Sequence, residues 1–300
     1  MRIGIIGAGR VGASFVLALP QHVVGITGST AKRTREQAAF YGVKPYVQGA
    51  DLVLDCDVVL LLVRDDLLQQ ISQSLAAQLA DCSRQSLARH TVLHGSGAAD
   101  VSVLQALADK GVHTGSIHPL QSFPVPSAAA LAGIYMAVDG DETAMARAKE
   151  IAAMLHSKPF HVPAAERILY HGAACFCSNY VVTAVAAAQM LMSRWTDTPE
   201  DAGNALRPLF LGTVDNIQSQ ALARQALTGP ISRGDIGTVQ KHISCMPQPF
   251  CDAYKAFGSI AADIALANQT ITKKQHQKLM QILAMAEGET NEQKSDKLDD

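Results

Sequence analysis

The sequence predicts an α/β chain: an N-terminal doubly wound parallel sheet followed by an all-α C-terminal part. Three observations carry this. Up to about residue 160, short apolar runs alternate with amphipathic stretches, the pattern of βαβ units on a parallel sheet. Those runs are apolar almost throughout, as strands are when helices cover both faces of a sheet. After "PFHVP" (159–163) no further strong strand follows, and helical patterns take over. The expected organisation is a nucleotide-binding domain over 1–160 and a helical domain over 161–290. The polar tail "NEQKSDKLDD" (291–300) is expected to be disordered.

Taken in order, strands are expected at 2–6, 23–27, 58–63, 91–94, 114–117 and 134–138, with amphipathic helices between them, for example at 67–79 and 100–110. A long helix over 164–195 carries Ala, Leu and Met on several faces, and a helix apolar all round is expected to be buried. Further helices are expected at 200–227, 235–245, 250–268 and 272–286.

Composition narrows the function. A net charge of −2 in 300 residues argues against a nucleic-acid binder or a membrane-surface protein. No run reaches the roughly 18 apolar residues of a membrane span, and "VVLLLV" (58–63) and 181–192 are too short or interrupted. Glycines and Arg10 break any apolar core of a signal peptide in "MRIGIIGAGR". Six cysteines without a C-x-x-C pair suit free thiols in a reducing cytoplasm, and no metal site is expected.

"RIGIIGAGRVG" reads strand, glycine turn, helix, with Gly7, Gly9 and Gly12 in G-x-G-x-x-G spacing. Glycines allow the tight turn, the close approach to a pyrophosphate and the helix–strand packing. The helix N-terminus, through Ala8, Gly9, Arg10 and Val11, offers N–H groups to the phosphates. An NAD site usually carries an acid about 20 residues further on, at the end of the second strand. Here that place reads "GITGSTAKRTRE", and the first acid is Glu36. Ser29, Thr30 and Arg33 instead suit a 2′-phosphate, so NADP(H) is the expected cofactor. "LLLVRDD" and "LHGSGA" end the next two strands, which brings Val63, Arg64, Asp65, Ser96 and Gly97 toward the cofactor crevice; Arg64 and Asp66 could equally solvate a turn and cap a helix.

Three polar islands supply candidate chemistry. His118, in "SIHPLQSF" with Gln121 and Ser122, ends the fifth strand and faces the same crevice, where an imidazole can protonate a substrate atom as hydride arrives. On the long helix, His171, Cys175, Ser178 and Asn179 fall within one broad face, either around a substrate pocket or in helix–helix hydrogen bonds. In "LTGPISRGDIG", Arg233 suits a substrate carboxylate and Asp235 is a substrate-side candidate or a helix cap.

With these motifs, "IHPLQSF", "HGAACFCSNY" and "LTGPISRGD", the chain resembles a family of Rossmann-like oxidoreductases that join an NADP-binding domain to a helical domain of unknown function. Its relatives include pyrroline-5-carboxylate reductase, deazaflavin-dependent NADP oxidoreductase and 3-hydroxyacid dehydrogenases, and one branch is linked to a non-classical ketopantoate reductase. The resemblance implies a homodimer through the helical domain. Hydroxyacid dehydrogenases place a catalytic lysine four residues before an asparagine on this helix. Here Cys175 stands four before Asn179 and no lysine follows Lys158 on the helix, so the lysine mechanism does not carry over. The proton donor is then His118 or His171. The leading expectation is an NADPH-dependent reductase of a small carboxylate-bearing ketone or imine, 2-dehydropantoate among them. An NADP-binding sensor without turnover and an NADPH–deazaflavin reductase are the competing readings.

Overall fold

The computed structural model describes residues 1–284. Residues 1–181 form one compact unit and a second begins at Val182. In the first, β-branched and leucine-rich runs become the strands, and their strict apolarity is explained by burial on both faces: every residue of β1 (Ile3–Ile6), β4 (Val58–Leu61) and β5 (Thr91–His94) is buried. The other strands are β2 (Val23–Thr27), β3 (Lys44–Pro45), β6 (His113–Pro119), β7 (Tyr135–Gly140) and β8 (Lys158–His161). The sheet order is β3-β2-β1-β4-β5-β6-β7-β8, parallel except for the β6–β7 pair.

Helices connect the parallel strands. α1 (Arg10–Ala18) and α2 (Ala31–Tyr41) flank β2; α3 (Gly49–Asp55), α4 (Leu68–Gln78), α5 (Arg84–Leu87), α6 (Gln105–Lys110) and α7 (Glu142–Met154) follow in turn. Two apolar clusters result, one on each face. Phe15, Ile26, Leu60 and Ile151 belong to the first, Leu52, Leu61, Leu75 and Leu107 to the second. Side-chain caps fix helix starts: Thr30 Oγ1 accepts from Arg33 N at 3.2 Å, and Asp141 accepts from Ala144 N at 2.9 Å.

Two strands lie outside the sequence expectations. β3 is two residues long, and β8 lies in "KPFHV", where prolines mask the strand signal; both sit at sheet edges, where a proline is tolerated. The helix expected over 164–195 is interrupted. α8 (Arg167–Cys177) ends at Ser178, whose backbone leaves helical angles, and α9 (Asn179–Met192) begins at the next residue. The expectation that this helix is buried is also corrected. No residue of α9 is buried, and Ile168 and Leu169 of α8 are more than 70% exposed. Apolarity on all faces records a preference for burial, not a covering element.

The division at 181/182 falls later than the composition change near 160, so α8 and its side chains belong to the unit that holds the sheet. The second unit contains most of α9, α10 (Pro199–Gln218), α11 (Ile236–Cys245), α12 (Phe250–Ala267) and α13 (Lys273–Ala284), packed around Val239, Ala262, Leu279 and Leu283. The expected tail at 291–300 lies outside the described residues.

Candidate active site

The parallel strands β1, β2, β4, β5 and β6 all end at one sheet edge, and the residues that follow β1, β2 and β4 line a crevice there. A cleft of about 500 Å³ is bounded by Gly7, Ala8 and Gly9 after β1, by Thr27, Gly28, Ser29 and Arg33 after β2, and by Leu62, Val63 and Arg64 after β4. Gln48, Ser74 and Gln78 close its other side.

Gly7 adopts φ +95, and a Cβ there would lie 2.5 Å from the Leu62 carbonyl oxygen, so only glycine fits the turn. A Cβ on Gly12 would collide with the Gly7 carbonyl, which lets α1 start tight against the strand. Gly9, by contrast, has nothing within 4 Å of its Cβ position, and α1 has no capping side chain. Free helix N–H groups thus face an open cradle, the arrangement that receives a pyrophosphate. No carboxylate occurs among the cleft-lining residues. Thr30 caps α2, and Gln37 Nε2 bonds the Ala8 carbonyl at 2.9 Å, tying α2 to the glycine turn. A dinucleotide therefore fits the residues present.

One row of residues crosses the sheet as Ile6, Leu61, His94 and Ser116. The strand ends beyond it carry Gly7, Leu62, Gly95 to Gly97, and His118, so the ends of β5 and β6 follow those of β1 and β4 along the sheet, outside the cleft lining itself. Ser96 is buried: its Oγ donates to Asp65 at 2.7 Å and accepts from Ala98 N and Ala99 N, which pins the loop after β5. Arg64 is exposed and paired with Asp66 at 2.5 Å.

β6 turns Ser116 and His118 to the same face, and α8 lays Arg167, Tyr170 and His171 upon it at helical spacing. His118 Nδ1 lies 2.7 Å from the Tyr170 hydroxyl, and the His118 and His171 rings meet edge to face at 6.4 Å. A Cβ on Gly97 would stand 2.8 Å from His118 Nε2 and 2.8 Å from His171 Cδ2, so a glycine is what lets both rings pack against the loop after β5. Arg167 is wholly buried. It donates to Ser116 Oγ, while its Nε and Nη1 find no partner among the described residues.

Electrostatics follow from this burial. Desolvation, then the Arg167 cation, then His171 push His118 down to about 4, and desolvation with Arg167 takes His94 down to about 3. Both rings are therefore neutral at neutral pH. Burial raises Tyr170 to about 12, with Arg167 opposing.

The sequence-predicted residues fare differently. His118, His171 and Gly97 are brought together. Cys175 Sγ lies 4.0 Å from His171 Nδ1, whereas Asn179 falls past the break at Ser178. Gln121 and Ser122 are exposed, bonded to each other through Gln121 Oε1 and Ser122 N. Arg233 and Asp235 belong to the second unit, where Asp235 caps α11 through Thr238 N at 3.0 Å. Arg167, Tyr170 and His94 were not singled out from sequence; their signal was a polar residue inside an apolar strand or helix run. Among the described residues no group of three or more His, Cys, Asp or Glu could hold a metal ion.

Comparison with known proteins fits this architecture. Residues 1–119 match a Rossmann-like domain model, and residues 134–260 match a domain of unknown function, DUF2520. No curated protein matches in sequence. Among solved structures, a protein from Thermotoga maritima is 24% identical, with TM-score 0.67 over 89% of this chain and 99% of its own. A 1-pyrroline-5-carboxylate reductase from Streptococcus pyogenes is 17% identical, with TM-score 0.58 over 94% and 98%. A pyrroline carboxylate reductase from Plasmodium falciparum with NADP bound is 10% identical, with TM-score 0.58 over 95% and 98%. The chain joins a Rossmann-like domain to a DUF2520 domain.

Proposed function

We propose that the chain is an NADP(H)-dependent reductase that adds hydride to the carbon of a small carboxylate-bearing imine or ketone, with His118 giving the proton. The observation that carries this reading is the placement of a neutral histidine, its Nε2 against Gly97, on the strand edge that continues the glycine cleft. A sensor that only binds a dinucleotide has no need of such a group there.

Preference for the 2′-phosphorylated cofactor rests on Ser29 and Arg33 in the cleft wall and on the lack of a carboxylate there to hold a free ribose 2′-hydroxyl. When bound, the cofactor supplies hydride. The chain's own part is to hold the pyrophosphate at α1, to wall the crevice with Gly97, and to deliver a proton from His118 Nε2 to the atom that gains electrons. The C=N option draws on the pyrroline carboxylate reductases that share the fold, and a 2-keto acid such as 2-dehydropantoate is the C=O counterpart.

The test is loss of NADPH absorbance against a panel of cyclic imino acids, 2-keto acids including 2-dehydropantoate, and a deazaflavin. Oxidation with an imine or keto acid, and faster with NADPH than NADH, is expected. Tight NADPH binding with no oxidation by any acceptor would instead mark a binding module, and oxidation with the deazaflavin alone would mark a flavin-type reductase.

We further propose that the exposed apolar helices pair with a second copy of the chain. Val182, Trp195 and Leu209 of the second unit are each about 70% exposed, and large apolar side chains left open to solvent mark interaction surfaces.

A further inference from the structure

The hydrogen bond between His118 and Tyr170 has a direction that the surroundings favour. Tyr170 is packed between the His118 ring at 5.6 Å and the Phe160 ring at 5.8 Å, both edge-on, with the buried Arg167 one helical turn away. If His118 Nδ1 donated, the half-buried tyrosine's own hydrogen would be left to solvent, since neither Phe160 nor the Arg167 guanidinium accepts it, and the Tyr170–His118 pair would lose a protein acceptor for the phenol. If Tyr170 donates, its hydrogen is used and the ring's single N–H moves to Nε2, the nitrogen that faces Gly97.

We propose that Tyr170 is a positioning residue for the reduction: its hydroxyl holds His118 in the Nε2–H tautomer and refills the ring as Nε2 gives up its proton. This rests on the reading of His118 as proton donor. The step balances as follows. The substrate carbon gains hydride, its heteroatom gains the electron pair and takes the Nε2 proton, and the Tyr170 O–H proton crosses to Nδ1. The ring stays neutral throughout, and the tyrosinate forms beside the Arg167 cation. A solvent proton arriving at Nε2 then returns the Nδ1 proton to the tyrosine oxygen, so one proton is drawn from solvent per turnover.

The groups facing this pair support a ring that shuttles protons without charging. Arg167, Tyr170 and His171 face it from α8 and His94 from β5, with Asp100 and Asp139 acting on Arg167. Burial and the Arg167 cation both disfavour an imidazolium. Neutral transfer avoids one.

Ring-nitrogen NMR of histidine-labelled protein, assigned with His118→Gln, tests this in the unvaried protein and without any substrate. The expected result is a protonated Nε2 and an unprotonated Nδ1 on His118 from pH 8 down to its titration near 4. A protonated Nδ1 would overturn the proposal. Tyr170→Phe is expected to yield a mixture of tautomers and, with an accepted substrate, a kcat lower by about 10-fold or more at little-changed KM. In the same variant the proton inventory should change from two protons in flight to one. A Tyr170→Phe protein with the wild-type tautomer and inventory would also overturn it. Should His118→Ala keep its rate, the proton-donor reading fails, whereas the tautomer measurement still stands as a separate result.

Discussion

His118 and His94 illustrate how much chemistry a single burial event sets. Each is held neutral chiefly by desolvation, with Arg167 adding to the effect. Two predictions belong at this scale. Replacing His118 by Ala should lower turnover by roughly 100-fold or more if it donates the proton, measured as the rate of NADPH oxidation with the best acceptor. The second concerns pH and stability. In the unfolded chain both rings take a proton below about 6.5, whereas in the fold they resist until about 4 and about 3. Their contribution is therefore complete above about pH 6.5 and declines as pH falls through 6.5 toward 4 and then 3. The slope is at most about 1.4 kcal/mol per pH unit for each ring. Tm should drop across that window, and His94→Gln should flatten part of the drop; a Tm that is level between pH 7 and 4.5 would contradict neutral buried rings. Neither Arg167 nor Tyr170 was legible in the sequence. "ERILYHG" shows a polar pair on an apolar helix, but that they cover β6 depends on where α8 lands.

At the scale of elements, the glycine turn separates two roles that the motif merges. Gly12→Ala forces a methyl onto the Gly7 carbonyl, so both Tm and NADPH affinity should fall. Gly9→Ala meets nothing in the protein, so Tm should hold while affinity falls by about 10-fold or more, because the methyl enters the cradle. Thermal melts beside fluorescence titrations of NADPH distinguish the two, and equal effects would contradict the assignment. Asp235→Ala should lower Tm through the lost cap on α11. The central strands were readable because apolar runs bounded by turns have few alternatives in a parallel sheet. The edge strands β3 and β8 were not, since two residues of pairing and prolines at an edge leave little pattern. The break at Ser178 was equally hidden: no proline or glycine marks it, and the apolar periodicity runs straight through.

For the whole molecule, the largest departure from the sequence reading is the exposed helical surface. By length and composition the segment Ala164–Trp195 would also serve to cross a membrane, so apolarity by itself does not choose its environment. The proposal of a second copy predicts a dimer in sedimentation equilibrium at micromolar protein. Val182→Glu, on a residue 69% exposed in the single chain, should shift the population toward monomer without unfolding it. A monomer that floats with lipid vesicles would overturn that proposal.

What the sequence determined by itself was local: apolar runs that become doubly covered strands, a glycine turn ahead of a helix, and the absence of an acid after the second strand. Each depends on residues within a few positions of one another, where sterics and periodicity act directly. The tertiary structure decided what lies across space. It brought His118 of β6, Gly97 after β5, and Arg167, Tyr170 and His171 of α8 to one face, and burial there fixed which groups carry charge. Desolvation is a property of the assembled surroundings, so no stretch of sequence around His118 contains it.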